Sequence, residues 1–473
     1  MEDFEKEQQQ EMQKQVRRYE YSKITGDKTW FDSDNYIDIM DWYTIHDMQQ
    51  AAEEVTLAAY KFYPDNEEIV SRYTLILTNK GEYEKAIYTT KCALKVIDSD
   101  DLRIDLASLY IESQTDFDEA LILLLDVLKR EKDNYFVYLL LGRIYLERGD
   151  YISAETYLRK GIELNCNDTL LLGCYSDCSL DISLKERMME FLCQLTAENS
   201  FNDLLWTTLG IVYSRYEYLD KAIDAFDYAI AIKPEGEIRH SCKADCLIAK
   251  KEYTAARQEL ELAIKYSSND NFELHIVLAG LLMRENNYAE ALLHLYIVYD
   301  RGQEITDKTY LLDMALCYYF LNQPDEAILK TKESLDTDIA PEIIVDFARR
   351  VYDNGFKNEG EDIFEAIITN NTESYTIELA SVTLAALKSR DGNTFEAVKI
   401  MENTLDELHS CTEDFWYAFL RITCQDEIYD GYTTKTLQLL MSLDSFPVYL
   451  KEHYPDIFDN PNYKRCLKQV YHV

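Results

Sequence analysis

A small residue returns along this chain at nearly constant intervals: Ala51, Ala86, Ala120, Ala154, Ala222, Ala256, Ala291, Ala327, Gly360 and Ala397. The steps are 35, 34 and 34, then 68, then 34, 35, 36, 33 and 37. Because 68 is twice 34, one unit in the middle keeps the period while losing its marker. A repeat of this length is a single supersecondary unit that buries its apolar face only by stacking on its neighbours. Regular steps predict short loops and no second domain threaded into the array.

Composition says what the repeat is made of. Only 14 Gly and 7 Pro stand among 473 residues, which favours helices throughout. Apolar residues make up 47% of the chain, enough for sizeable cores and too many for a disordered acidic tail. No apolar run is long enough to span a membrane. The 48 Lys and Arg face 87 Asp and Glu, a formal charge of −39. That balance excludes duplex nucleic acid as the natural partner and disfavours docking on anionic lipid. The opening MEDFEKEQQQEMQKQVRR lacks an apolar signal core, so secretion is not expected. Eleven cysteines at irregular spacings read as reduced thiols in a cytoplasmic protein.

The clearest unit runs from 203 to 234 and carries Trp206, Leu209, Gly210, Tyr213, Ala222, Phe226, Ala229 and Pro234. These are unit positions 4, 7, 8, 11, 20, 24, 27 and 32. A second copy, 135 to 168, has Tyr138, Leu141, Gly142, Tyr145, Ala154, Leu158 and Gly161 in matching places, with Tyr151 three residues before its small marker. Small residues at 8, 20 and 27 let two antiparallel helices approach, and large ones at 4, 7, 11 and 24 fill the space around them. Proline at 32 stops the second helix. Most units also place Tyr or Phe three residues before the small marker, as in Tyr83, Phe117, Tyr151, Tyr253 and Tyr288. On these residues the chain resembles the tetratricopeptide-repeat family. The expected fold is therefore all-α, a right-handed α-solenoid of about 12 stacked antiparallel helix pairs.

Residues 35 to 443 form that expected array, with degenerate units at 169–202 and 413–443. Residues 1 to 34 read as a charged arm, frayed in itself, docking Trp30 and Phe31 on the first repeat; Phe4, Tyr19 and Tyr21 are its other aromatics. The alternative for this arm is a self-associating or partner-binding helix. Residues 444 to 473, with three prolines and the basic Lys464, Arg465 and Lys468, read as a cap over the open face of the last repeat. An interaction peptide is the alternative. The tail, and the FDSDNYIDIMDWY start, are similar to those of long bacterial tetratricopeptide proteins.

Catalytic signatures are missing. The seven histidines (His46, His240, His275, His294, His409, His453 and His472) make no metalloprotease pair. His240, Cys242 and Cys246 share one expected helix, yet structural zinc sites use loop knuckles, so they read as packed groups. Cys174 and Cys178 have the same spacing and the same reading. No phosphate loop and no nucleophile elbow occur. No cofactor and no metal are implied.

The resemblance implies where a partner sits. In the family the first helix of each pair lines the groove, through its positions 2, 5, 6, 9, 12 and 13. Here those positions supply Ser71, Arg72, Asn79, Asp105, Ser108, Glu112, Arg143 and Glu147, then Thr207, Thr208, Ser214, Arg215 and Asp245. Arg284, Asp313, Tyr319, Asp346, Arg349 and Tyr352 continue the set. The Lys and Asn clamp that chaperone-binding relatives use for a terminal carboxylate is absent. The implied function is a non-enzymatic scaffold or adaptor holding a protein or peptide, basic or amphipathic, in a groove of mixed sign inside an acidic body. A regulatory peptide sensor is the alternative, and an enzyme with unrecognised Cys or His chemistry ranks behind both.

Overall fold

The computed structural model describes residues 2–26, 29–267, 271–301, 306–335, 337, 339–370, 373–408, 411–441 and 446–471. Among these it contains α- and 3-10 helices and no strand, as the paucity of glycine and proline predicts. The chain forms two compact units, Met1–Tyr266 and Ser267–Val473.

The first unit holds α1 (Glu2–Thr25) and seven helix pairs. These are α2 (Ser33–Ile45) with α3 (Gln49–Phe62), α4 (Glu67–Asn79) with α5 (Tyr83–Leu94), and α6 (Asp100–Glu112) with α7 (Phe117–Arg130). Next come α8 (Tyr135–Glu147) with α9 (Tyr151–Leu164), and α10 (Thr169–Asp177) with α11 (Lys185–Glu198). The last two are α12 (Asp203–Arg215) with α13 (Leu219–Ile232), and α14 (Glu237–Ala249) with α15 (Tyr253–Tyr266). The second unit holds five pairs. They are α16 (Phe272–Arg284) with α17 (Tyr288–Asp300), α18 (Tyr310–Phe320) with α19 (Pro324–Leu335), and α20 (Pro341–Asp353) with α21 (Lys357–Asn370). Then follow α22 (Ser374–Arg390) with α23 (Thr394–Glu407), α24 (Glu413–Thr423) with α25 (Asp430–Leu440), and finally α26 (Phe446–His453) and α27 (Pro461–Tyr471). None of the described helices is long and apolar enough to cross a membrane.

The first helices of the first six pairs begin where a short polar side chain takes up free backbone N–H groups. Asp32, Asn66, Ser99, Asn134, Asp168 and Asn202 cap α2, α4, α6, α8, α10 and α12 in this way, each removing an orphan donor. Inside ten of the twelve pairs the turn is built alike. One residue takes a positive φ: Asp47, Gly81, Gln114, Gly149, Glu217, Lys251, Asn286, Asn322, Gly355 or Gly392. The next amide then donates back over six residues, as Glu82 N does to Leu77 O at 2.8 Å and Tyr218 N to Tyr213 O at 2.9 Å. This is the Schellman closure of a helix C-terminus. It reverses the chain in three residues, so the second helix falls back along the first.

The marker residues sit where the helices cross. Ala86, Ala120, Ala154, Ala222, Ala256, Ala291, Ala327 and Ala397 have no exposed surface. A Cβ added at Gly210 would lie 2.6 Å from the Phe226 ring, so positions 8 and 24 are in direct contact. The expected aromatic wedge is the first residue of its helix in Tyr83, Phe117, Tyr151, Tyr253 and Tyr288. Each is half-buried.

Two pairs, α10–α11 and α24–α25, lack a positive-φ turn residue. Both cross instead through 3-10 turns, at Cys178–Leu180 and Ile182–Leu184 in the first case and at Glu427–Tyr429 in the second. The α10 helix is shortened to nine residues. Its surroundings hold a carboxylate with no exposed surface: Glu155 of α9 receives Arg187 at 2.6 Å and accepts from the Tyr175 hydroxyl at 3.3 Å. Burial raises the Glu155 carboxyl above its usual range, against the pull of Arg187 and Arg159.

At the front, α1 is a helix rather than a frayed arm. Val16 and Tyr19 pack with Phe31, Tyr36 and Ile39, and the Tyr63 hydroxyl donates to the Phe31 carbonyl at 2.7 Å. Phe31 docks as expected, but Trp30 does not and stays 72% exposed. The Phe4 side chain lies outside the described residues. At the back, Phe446, Leu450, Ile457, Tyr463 and Cys466 pack on Tyr417, Leu420, Leu437 and Leu440 of the last pair. Arg465 grips Asp430 through two bonds of 2.8 Å.

Candidate protein-binding face

In each unit the first helices of successive pairs touch one another, α2 with α4, α4 with α6 and α6 with α8, then α18 with α20, α20 with α22 and α22 with α24. The site residues expected from sequence are spread along these helices.

Arg72 of α4 reaches back to Asp41 of α2 at 2.6 Å and holds Glu68 of its own helix at the same distance. Ser71, beside it, donates to Asp105 of α6 at 2.6 Å. Burial raises the Asp105 carboxyl above its usual range, and the Ser71 hydroxyl offsets only part of that rise. Arg215 bonds the Ser176 carbonyl at 2.8 Å and Asp177 at 3.0 Å, tying α12 to α10. Ser214 accepts from the Cys246 thiol at 3.3 Å. Several expected ligand-binding groups are thus the bonds between neighbouring pairs.

The remaining residues divide by exposure. Asn79, Glu147, Asp245, Arg284 and Arg349 are exposed, while Arg143 and Asp346 are half-buried. Arg349 pairs with Asp346 one turn earlier. Arg143 lies by Cys174, whose thiol burial pushes up to about 11 against the attraction of that guanidinium. Thr207, Tyr319 and Tyr352 are buried, with Thr207 bonded to its own helix at Asp203 and Tyr352 donating to Asp391 at 2.9 Å. Asp313 is crowded by its neighbours, and desolvation raises its carboxyl despite nearby Arg350.

The structure joins two of the expected residues in one cavity. A cleft of about 660 Å³ opens between α2, α3 and α4 and is lined in part by Arg72, Asn79, Asp41, Asp47, Glu53 and Leu75. Arg72 is already held by Asp41 and Glu68, so Asp47 adds anionic character to the lining. Asp41, Asp47 and Glu53 were missed in the sequence, because the first helix pair carries few signature residues. Their one visible signal is that Asp41 lies on the helix face that supplies Arg72 one repeat later.

Among the described residues, no three His, Cys, Asp or Glu side chains group so as to hold a metal ion. Both ring nitrogens of His240 are engaged, by Glu259 at 2.6 Å and the Pro234 carbonyl at 2.9 Å. Cys246 is buried against Ser214, and Cys178 faces the Cys174 carbonyl. His275 and His294 share a hydrogen bond of 2.8 Å between their Nδ1 atoms. His409 and His472 lie outside the described residues.

A model of the tetratricopeptide repeat matches residues 137–168. That stretch is the α8–α9 pair, whose turn and buried marker residue recur along both units and whose glycine contact recurs at Gly210. The chain is a tetratricopeptide-repeat protein. It is 23% identical over 378 residues to a TPR repeat-containing protein of Methanocaldococcus jannaschii, covering 72% of this chain and 63% of that one. It is 28% identical over 217 residues to anaphase-promoting complex subunit 7 of Dictyostelium discoideum, covering 44% of this chain. This tetratricopeptide-repeat chain thus spans only 35% of the length of the Dictyostelium relative. A solved tetratricopeptide repeat protein from Parabacteroides merdae aligns with 53% of this chain and 98% of its own, at 16% identity and a TM-score of 0.41.

Proposed function

We propose that this protein is a non-enzymatic scaffold that holds a basic or amphipathic segment of another protein against its first helices. The observation that carries the reading is the cleft at α2, α3 and α4, where Asp47 and Glu53 stand beside exposed Asn79 and the aliphatic Leu75. A lysine or arginine would find the Asp47 carboxylate there, beside a Glu53 that Lys80 holds at 2.9 Å, and an apolar neighbour would find Leu75. The charge of −39 draws such segments in from a distance. Membership of a repeat family, and similarity to a subunit of the anaphase-promoting complex, support an interaction role. Eleven unbridged cysteines suit a reducing cytoplasm.

The test is affinity capture on the full chain from its native cells at low and high salt, repeated with Asp47→Lys. A partner that is lost at high salt and lost again with the variant supports the reading. A partner held equally well by the variant, with helicity intact, overturns the placement of the site.

A further inference from the structure

In the second unit a cleft of about 330 Å³ lies between the second helices α21 and α23, with the first helix α22 as its floor. This is within the size range of small-ligand sites. On its floor is Ser381, with no exposed surface, and its hydroxyl oxygen has no hydrogen-bond partner among the described residues. Helical hydroxyls nearby satisfy themselves on the preceding turn, Thr383 on Leu379 O at 2.7 Å and Thr404 on Ile400 O at 2.9 Å. Ser381 does not. A buried hydroxyl left without a partner is uncommon in folded proteins and marks a place where something else supplies the bond.

The charges around it are unbalanced. Lys388 is held by Glu361 at 2.6 Å and Glu396 at 3.0 Å. Burial opposes its charge, but those two bonds outweigh burial and raise its ammonium above the usual range. Glu365 and Glu407 remain on the same lining, against the single ammonium of Lys399. Ile368, Leu384 and Ile400 supply an aliphatic wall between these polar groups. Carboxylates at the rim, an aliphatic wall and an unsatisfied hydroxyl at the floor are the complement of an alkyl chain ending in a cationic N–H donor.

We infer that this cleft binds an alkylammonium group, its methylene chain along Ile368, Leu384 and Ile400, its charge toward Glu365 and Glu407, and a polar atom bonded to Ser381. The group has two sources, a free aliphatic amine or a lysine side chain presented by another protein. This site is separate from the first-helix cleft and stands or falls independently of it.

The experiment is calorimetric titration of the full chain with cadaverine and, in a second arm, with Nα-acetyl-lysine methylamide, each beside its amine-acetylated counterpart. Saturable binding of cadaverine alone assigns a free amine, of the lysine mimic alone a presented lysine side chain, and of both the shared ammonium chemistry. The double variant Glu365→Gln with Glu407→Gln is expected to bind at least about tenfold more weakly. Ser381→Ala is expected to melt no lower than the native chain yet to bind several-fold more weakly, a combination that a merely structural serine does not give. Absence of saturable binding by either amine, equal binding of the acetylated forms, or unchanged affinity in both variants overturns the assignment.

Discussion

The Glu252 amide donates to the Leu247 carbonyl at 2.8 Å across a turn whose middle residue, Lys251, stands at φ 65°. The same bond closes ten hairpins, and in six of them the left-handed position is filled by Asp47, Gln114, Glu217, Lys251, Asn286 or Asn322 rather than by glycine. A side chain in this region is strained by about 1–2 kcal/mol, whereas glycine is relaxed there and loses about 0.5–1 kcal/mol to its freer unfolded state. Lys251→Gly is therefore expected to stabilise the first unit by about 0.5–1 kcal/mol. Gly81→Ala, where space is open but φ is 73°, is expected to destabilise it by about 1 kcal/mol. Chemical denaturation of both variants checks the pair, and a fall in stability for Lys251→Gly contradicts the account of the turn.

Gly210 faces the Phe226 ring so closely that a methyl there would stand 2.6 Å from it. Gly210→Ala, like Ala222→Phe at the neighbouring fully buried position, is expected to lose about 1–3 kcal/mol by overpacking. Adding Phe226→Leu to Gly210→Ala should recover part of that loss. A thermal melt of the double variant no higher than that of the single one would show that the two residues do not share the crossing.

The Asp105 carboxyl is raised, chiefly by burial. A group whose folded-state pKa is raised adds stability only while protonated. Its share is complete below the unfolded value near pH 4 and is lost as pH climbs through the raised one. Asp105→Asn keeps an acceptor for Ser71 and removes the buried charge. Its melting temperature is expected to exceed the native one at pH 7, with the difference closing toward about pH 4. A difference that is constant with pH would assign the effect to something other than this ionisation.

Among the cysteines, Cys193 is exposed, whereas Cys178, Cys246, Cys317, Cys424 and Cys466 are buried. Burial pushes the Cys317 and Cys424 thiols up to about 12, which leaves little thiolate at neutral pH. Brief alkylation of the native chain should modify Cys193 first and spare those two until the chain unfolds. Peptide mass spectrometry reads the order directly.

The helical period was legible because it depends on volume. Ala86, Ala154 and Ala222 lie where two helices cross, and only a small side chain fits, so the 34-residue spacing survives in the letters. Schellman turns were not legible, since the left-handed position is held by Gln114, Glu217 or Lys251 in some hairpins, despite their strain, and by Gly81 in another, so no single residue type marks it. The two irregular pairs show the same limit: α10–α11 looks like eroded sequence, yet it is a built alternative with 3-10 turns and a buried Glu155. The candidate face was legible by position but not by role. Helical spacing places Arg72, Ser71 and Arg215 on the first helices, but cannot say that Asp41, Asp105 and the Ser176 carbonyl already hold them.

Those cross-helix bonds bear on how such a face would work. A guest that draws Arg72 away from Asp41, or Ser71 away from Asp105, trades a stitch in the fabric for a hold on itself. Loading and the set of neighbouring hairpins then change together, so in this region the cargo and the cradle are one mechanical system.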